Sequence, residues 1–219
     1  MSSHYTLRTE ATHHRITLTS PDNTNKLTRE KVLALTRLLR EVTPLPIILT
    51  GNEHFFSAGA DLKEIRALSG AEAFAFARMG QQLMAAVASF PAPVIAAIQG
   101  YCMGGGLDLA LACHYRVCSP NAVFAHRGAA LGIMTGWGGT QRLPRLVGKP
   151  RALELFLTGE KIHAERALSI GLVSEILKDP ATALTRLAAS PDTYPCTPAN
   201  RNESPLTRPS AASPTDPET

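Results

Sequence analysis

The chain has 219 residues, of which 44% are hydrophobic and 18% are charged, an ordinary composition for a globular protein with one domain of moderate size. Its four cysteines form no Cys-x-x-Cys pair, so we expect free thiols in a reducing compartment. No apolar run approaches membrane-spanning length, and "MSSHYTLRTEATHHRITLTS" contains no apolar signal segment. These features predict a cytoplasmic protein with no membrane partner.

The net charge of +4 raises nucleic acid as a possible partner. The charge is scattered apart from one basic cluster, formed by Arg142, Arg145, Lys149 and Arg151. We interpret this cluster mainly as a solvated helix face. Because only 5% of the residues are aromatic and no recognition motif is present, no nucleic-acid partner is predicted.

The first half of the chain alternates between strand and helix patterns. The segments "HYTLRTEA" and "HRITLTS" predict a hairpin or two neighbouring strands, and "LTREKVLALTRLLREV" predicts a helix with Thr28 as its N-cap. The continuous apolar run "PIILTG" is typical of a strand buried on both faces. After a loop, "DLKEIRAL" and "AEAFAFARMGQQLMAAVASF" predict helices.

The second half continues this alternation. "PVIAAIQG" predicts another buried strand, and a helix follows the three glycines of "YCMGGGLDLALAC". "YRVCSP" and "AVFA" predict strands, and "RALELFLTGEKIHAERALSIGLVSEIL" predicts a helix, a turn, a helix and a short strand. Buried strands alternating with helices predict an α/β fold with a largely parallel sheet.

The end of the chain has a different composition. Residues 191–219 contain seven of the 16 prolines and almost no apolar side chains. Such a segment cannot bury enough surface to offset the entropy of ordering, so this Pro/Ser/Thr-rich tail is predicted to be disordered. The predicted folded domain is therefore residues 1–190.

Two glycine-containing junctions lie where a predicted strand leads towards a helix. In "IILTGNEHFFSAGADLKEI", Ala58, Gly59 and Ala60 precede a helix that begins at Asp61, and residues 104–106 form the second junction. Unpaired N–H groups at such junctions can converge on a ligand oxygen and form an oxyanion hole. Neither stretch has a phosphate-loop or dinucleotide pattern. Loop glycines often serve only the turn, so each junction alone also allows that interpretation.

The two junctions in this order resemble the crotonase superfamily, the enoyl-CoA hydratase/isomerase family, as do "GWGGTQRLPRLVGKPRALELFLTGEKI" and "ERALSIGLVSEI". The resemblance runs from about residue 5 to about residue 178. It implies a crotonase-like ββα spiral core and acyl-CoA thioester substrates. The backbone N–H groups that hold the thioester oxygen as it becomes an enolate would belong to Ala60 and Gly105.

The resemblance also places the nucleotide end of coenzyme A around the first junction. The candidate contacts are Ala58, Asp61, Leu62 and Lys63, although a helix-surface lysine is usually only solvated. Coenzyme A would enter as part of the substrate, and neither a separate cofactor nor a metal site is predicted.

Hydratases of this family use two glutamates to move protons. The first position, three residues after Gly105, holds Asp108, which is an acid or base by resemblance or else an acid favoured by the helix dipole. The second position aligns with Gly128, which cannot transfer a proton. His126 and Arg127 are nearby replacements, with a structural role for His126 as the default. A glutamate installed at position 128 is expected to raise hydration.

These departures leave two kinds of function open. The first is an enzyme that acts on acyl-CoA thioesters through an enolate, most naturally an enoyl-CoA hydratase/isomerase, with decarboxylation or thioester hydrolysis as variants. The second is a non-catalytic acyl-CoA binder or oligomer partner. Family members continue past "GLVSEI" into several helices, whereas "PATALTRLAAS" predicts one short helix before the tail. We therefore expect a truncated C-terminal helical region and a homotrimer or hexamer weakened by its loss.

Overall fold

A computed structural model describes residues 4–184 of the chain, which form ten strands and seven α-helices. The strands are β1 (Tyr5–Thr9), β2 (His14–Leu18), β3 (Ile47–Thr50), β4 (Phe55–Ser57), β5 (Val94–Ile98), β6 (Tyr101–Met103), β7 (Tyr115–Cys118), β8 (Val123–Ala125), β9 (Ile162–His163) and β10 (Glu175–Ile176). The α-helices are α1 (Arg29–Glu41), α2 (Leu62–Arg66), α3 (Gly70–Ala88), α4 (Gly105–Ala112), α5 (Gly139–Val147), α6 (Lys149–Thr158) and α7 (Ala164–Ser169).

The strands form two sheets. The larger has the order β1-β2-β3-β5-β7-β10 and is parallel except for the β1–β2 pair. The smaller has the order β4-β6-β8-β9 and is parallel except for the β8–β9 pair. The successive pairs β3–β4, β5–β6 and β7–β8 each place one strand in each sheet before the next helix, so the chain winds as a ββα spiral. The predicted α/β fold class and spiral core are confirmed.

The helix starts follow from their capping residues. Thr28 caps α1, as predicted, and its side chain accepts a hydrogen bond from the backbone N–H of Lys31 at 3.3 Å. Ser69 and Glu72 form a reciprocal capping box at the start of α3. Helix α4 differs, because its N-cap is Gly104, which provides no side-chain hydrogen bond. The first N–H groups of α4 are therefore left for another partner.

The sequence pattern misses strands β4 and β6, and also the two-residue strand β9. Strands β4 and β6 have three residues each, too few to show a periodicity, and they pair with each other in parallel. Their presence corrects the expectation of a single largely parallel sheet to two sheets. These short strands also position the site, because β4 leads into the first glycine junction and β6 into the second.

Both faces of the larger sheet are buried, as the run "PIILTG" predicts. Ile47 and Leu49 belong to the main core cluster, whereas the intervening Ile48 belongs to a second cluster on the other face. Within residues 4–184, no helix has both the length and the apolar character needed to cross a membrane. Cys102, Cys113 and Cys118 are buried free thiols. The predicted tail at 191–219 lies outside the described residues, and so does most of the predicted short helix in "PATALTRLAAS", of which the structure describes a 3-10 turn at Pro180–Thr182.

Candidate active site

The first glycine junction is tied to the segment that precedes α1. The N–H of Ala58 donates to the carbonyl of Thr24 at 2.9 Å, and the N–H of Leu27 donates to the carbonyl of Gly59 at 2.8 Å. Gly59 has a φ of +91°, a conformation that L side chains rarely adopt. This turn carries the chain past Ala60 into α2.

The second junction approaches the first through β6. Gly104 has a φ of +49°, and its N–H donates to the carbonyl of Ala125 at 2.9 Å. The carbonyl of Gly104 accepts the first hydrogen bond of α4, from the N–H of Asp108 at 3.0 Å. This arrangement starts the helix at Gly105 and places Asp108 in its first turn.

The backbone N–H groups of Ala60 and Gly105 lie close together. A Cβ placed on Gly105 would be 3.2 Å from the amide nitrogen of Ala60, and one placed on Gly59 would be 3.0 Å from that of Gly105. No acceptor in the described part of the chain receives either N–H. Two neighbouring open donors, one of them at a helix N-terminus, suit an oxygen that gains negative charge.

These donors open onto a cavity of about 440 Å³. Ala60, Gly105 and Asp108 line it together, in agreement with their grouping in the sequence prediction. Most of the lining side chains are apolar, among them Leu62, Ile65, Leu68, Phe76, Met134 and Trp137. A cavity of this size and character fits an apolar acyl chain. Residues 4–184 contain no cluster of three or more His, Cys, Asp or Glu side chains that would hold a metal ion.

Asp108 is the acidic side chain of this cavity within residues 4–184, and it is only 1% exposed. The hydroxyl of Thr135 donates to its Oδ2, and the backbone of Gly139 also favours the charged form of this carboxyl group. Burial raises the pKa of Asp108 to about 7, although the hydrogen bond from Thr135 and the positive charge of Arg142 oppose this rise. A carboxyl group with that pKa can both accept and donate a proton near neutral pH.

His126 also lines the cavity, directly beside this carboxyl group. Its Nε2 lies 3.5 Å from Oδ1 of Asp108, and its ring packs against Phe156 with the centroids 5.0 Å apart. Burial lowers the pKa of His126 to about 4, so the imidazole is neutral at pH 7. The structural role expected by default for His126 stays a prediction.

Gly128 lines the cavity but has no room for a side chain. A Cβ at this position would lie 2.4 Å from the carbonyl oxygen of Ile133. The Gly128 carbonyl accepts hydrogen bonds from the N–H groups of Leu131 and Ile133, which fold the loop back over it. The expected gain from a glutamate at 128 is therefore not supported, because that side chain would have to displace the loop backbone.

The candidate contacts to coenzyme A separate into two groups. Ala58 and Leu62 line the cavity, whereas Asp61 and Lys63 do not. The Asp61 side chain instead caps α2 and accepts a hydrogen bond from the N–H of Lys63 at 2.8 Å. The Lys63 side chain is exposed to solvent.

Two further cavity residues, Thr135 and Trp137, had no role in the sequence prediction. The Trp137 side chain is 3% exposed, and its Nε1 donates to the carbonyl of Phe76 at 3.3 Å. Its ring lies 2.7 Å from the position that a Cβ on Gly105 would take, so the indole packs directly beside one of the two N–H donors. "GIMTGWGGTQRL" contains both residues, but no periodicity in this loop indicates which side chains face inwards.

The model of the enoyl-CoA hydratase/isomerase family matches residues 8–189 of the chain. The chain belongs to this family. A curated family member from Bacillus subtilis (strain 168), a probable enoyl-CoA hydratase, is 49% identical over 144 residues. That match covers 65% of this chain and 56% of the relative, so the chain spans little more than half the length of that relative.

Solved structures of similar proteins share the fold of the present chain. DspI from Pseudomonas aeruginosa is 35% identical with a TM-score of 0.81, and the match covers 86% of this chain and 74% of DspI. A putative enoyl-CoA hydratase from Thermobifida fusca, in complex with acetoacetyl-CoA, is 29% identical with a TM-score of 0.78. That match covers 88% of this chain and 82% of the other.

Proposed function

We propose that this protein is an enzyme that acts on acyl-CoA thioesters through an oxyanion-stabilised enolate, with hydration or isomerisation of an enoyl-CoA as its reaction. The N–H groups of Ala60 and Gly105 hold the thioester oxygen, and Asp108 moves a proton at the acyl carbons. The free, buried thiols of the described cysteines are compatible with the cytoplasmic location expected from the sequence.

The observation that carries this proposal is the pair of open, adjacent N–H groups beside an apolar cavity. As the enolate forms, negative charge grows on the thioester oxygen, and fixed donors stabilise it without having to reorganise. Removing one such donor typically costs about 3 kcal/mol of transition-state stabilisation. The apolar lining receives the acyl chain, and Asp108 lies one helical turn beyond Gly105. The acetoacetyl-CoA bound by the Thermobifida fusca neighbour is a ligand of this chemical class.

The crowding at Gly128 favours a second candidate function. A two-carboxylate hydratase needs an acid at that position, and the Ile133 carbonyl leaves no space for one. A protein that binds acyl-CoA through the same N–H groups without turning it over would fit this observation. The same donor pair would also serve decarboxylation or thioester hydrolysis, since each passes through an oxyanion.

Turnover measurements separate these candidates. The wild-type protein is incubated with a panel of acyl-CoA thioesters, crotonyl-CoA first, and loss of the enoyl thioester absorbance is followed. We expect measurable hydration or isomerisation that Asp108→Asn reduces by about 10²-fold or more, since a positioned acid or base contributes that much. Tight binding of the thioesters without turnover of any of them would instead establish the non-catalytic binder.

A further inference from the structure

The cavity contains two buried polar atoms that lie close together and have no hydrogen-bond partner. Asp108 Oδ1 and His126 Nε2 are 3.5 Å apart, and within the described part of the chain neither forms a hydrogen bond, to the other or to any further group. Buried polar atoms are almost always satisfied, so an unpartnered facing pair needs an explanation. Two lone pairs at this distance would repel each other, whereas a proton between them would satisfy both.

The surrounding backbone holds these two atoms side by side. A Cβ on Gly139 would lie 2.1 Å from Asp108 Oδ1 and 3.0 Å from His126 Nε2, so any larger residue would push into both. The Thr135 hydroxyl occupies the other carboxyl oxygen, Oδ2. The His126 ring packs against Phe156 in a tilted arrangement. The geometry thus holds Oδ1 and Nε2 side by side, and within the described residues neither is hydrogen-bonded to another protein atom.

Few charged groups lie near Asp108 and His126. Arg142 on α5 is the cation whose field acts on Asp108. Burial raises the pKa of the Cys102 and Cys113 thiols, which keeps both uncharged at neutral pH. On the His126 side, the nearby charged groups are Arg127, its exposed chain neighbour, and Glu160, which lines a small void with it.

We propose that Asp108 and His126 form a single acid–base pair that shares one proton between Oδ1 and Nε2, and that His126 thereby supplies the second proton-handling group that Gly128 lacks. This proposal rests on the proposed function, because it concerns the same cavity and the same acyl-CoA chemistry. It assigns His126 a role in proton transfer that is distinct from packing.

Hydration of an enoyl thioester illustrates the proton balance. The oxygen of a water molecule bonds to the β carbon, and one proton of that water passes to the pair. The electrons of the carbon–carbon double bond form the enolate, and its α carbon then takes a proton from the pair as the thioester C=O re-forms. One proton enters the pair and one leaves, so the pair ends in the state in which it began.

A histidine titration by nuclear magnetic resonance tests the shared proton directly and needs no turnover. The full chain is labelled with ¹⁵N-histidine, and the His126 signals are assigned with His126→Gln. We expect the His126 Nε2 signal to change near pH 7, where the pair loses its shared proton, and we expect Asp108→Asn to remove that change. A His126 titration that is the same in the wild type and in Asp108→Asn would overturn the pair.

The catalytic role of the pair is tested by turnover of the acyl-CoA thioester that the wild type uses. His126→Gln is expected to lower kcat by about 10²-fold while acyl-CoA binding persists, and adding Asp108→Asn should cost little more, because the two groups act as one unit. His54→Gln is the matched control, since His54 lies 3.3 Å from Glu53 but both side chains are exposed. A His126→Gln enzyme as fast as the control would overturn this role. Absence of turnover in the wild type would instead contradict the proposed function, while the titration would still decide whether the pair exists.

Discussion

At the residue scale, backbone packing decides what Gly128 can become. The Ile133 carbonyl lies 2.4 Å from the position of a Cβ on Gly128, whereas a Cβ on Gly136, in the same loop, would meet only the Ala77 Cβ at 3.4 Å. Gly128→Ala is therefore expected to destabilise the protein by about 1–3 kcal/mol, the usual cost of overpacking, and Gly136→Ala to cost much less. Thermal unfolding of the two variants measures the difference.

Gly128→Glu extends this prediction to function. We expect no gain in crotonyl-CoA hydration, because the loop must shift before the carboxylate can reach the cavity. A stable Gly128→Glu variant that hydrates crotonyl-CoA faster than the wild type would show that the loop yields easily and that position 128 still accepts a catalytic acid.

Asp108 should also affect the pH dependence of stability. Its pKa is raised to about 7 in the folded protein from an ordinary value of 3.8, so between these values the folded state holds a proton that the unfolded state has lost. Folding stability contributed by this group is therefore present at low pH and falls as the pH rises towards 7. Asp108→Asn has no carboxyl group to titrate, so it should not show this fall in stability.

The melting temperatures of the wild type and Asp108→Asn, recorded from pH 4 to pH 8, test this expectation. The variant should gain stability relative to the wild type as the pH rises, with Tm moving by about 2–4 °C for each kcal/mol. The pKa of His126 is lowered to about 4, so this group contributes a stability that rises with pH. Because both proteins contain His126, the quantity to compare is the difference in Tm between the wild type and Asp108→Asn. A constant difference across this range would contradict a raised pKa at Asp108.

The sequence identifies some of these residues and not others for a physical reason. Ala60, Gly105 and Asp108 lie at strand–helix junctions, where the order of elements fixes their location, and the structure brings them to one cavity. Thr135, Trp137 and the orientation of His126 depend on the course of a loop without periodicity. The crowding at Gly128 depends on a contact with a backbone carbonyl, which residue type alone does not reveal.

At the element scale, α3 supports the donor pair through Trp137. A Cβ on Gly80, in the interior of α3, would lie 2.1 Å from the indole nitrogen, so this helix contains a glycine where the indole packs against it. The indole then reaches Gly105 on the opposite side. Three chain segments thus pack together beside the donor pair, although the sequence prediction assigned only the segment at Gly105 to the site.

Two glycine substitutions in the same helix test this support. Alanine normally stabilises a helix by about 1 kcal/mol relative to glycine, and Gly70→Ala, with no atom within 4 Å of its Cβ, should be neutral or stabilising. Gly80→Ala should instead lower the melting temperature and change the fluorescence of Trp137, the single tryptophan of the chain. Equal melting temperatures and spectra for the two variants would show that α3 does not hold the indole in place.

Among the strands missed by the sequence, β4 and β6 are the ones that position the site. Strands β4 and β6 have three residues each and carry the two glycine junctions, and their pairing brings Ala60 near Gly105. The long amphipathic helices and the apolar strands of the larger sheet were predictable, because their patterns extend over several residues. The sequence therefore predicts the long helices and the larger sheet, whereas the pairing of β4 with β6 depends on tertiary contacts that it does not reveal.

At the scale of the whole molecule, two sheets and the surrounding helices bring distant parts of the chain to one cavity. Residues near positions 60, 105, 126 and 137 meet there, and Phe156 of α6 also lines the cavity. Exposed leucines at positions 153 and 157, one turn apart on α6, are compatible with self-association, but a weakened trimer or hexamer stays a prediction. The domain boundary at residue 190 stays a prediction as well.

The central proposal is that the N–H groups of Ala60 and Gly105 donate hydrogen bonds to a thioester oxygen. Calorimetric titration with acetoacetyl-CoA and with free coenzyme A tests it most directly. The wild type should bind the thioester more tightly than free coenzyme A. Gly105→Val should abolish this preference because its side chain would meet the Trp137 ring and the Ala60 amide, whereas Gly70→Val should retain it. Equal affinity of the wild type for both ligands, or a preference that Gly105→Val leaves intact, would contradict the account.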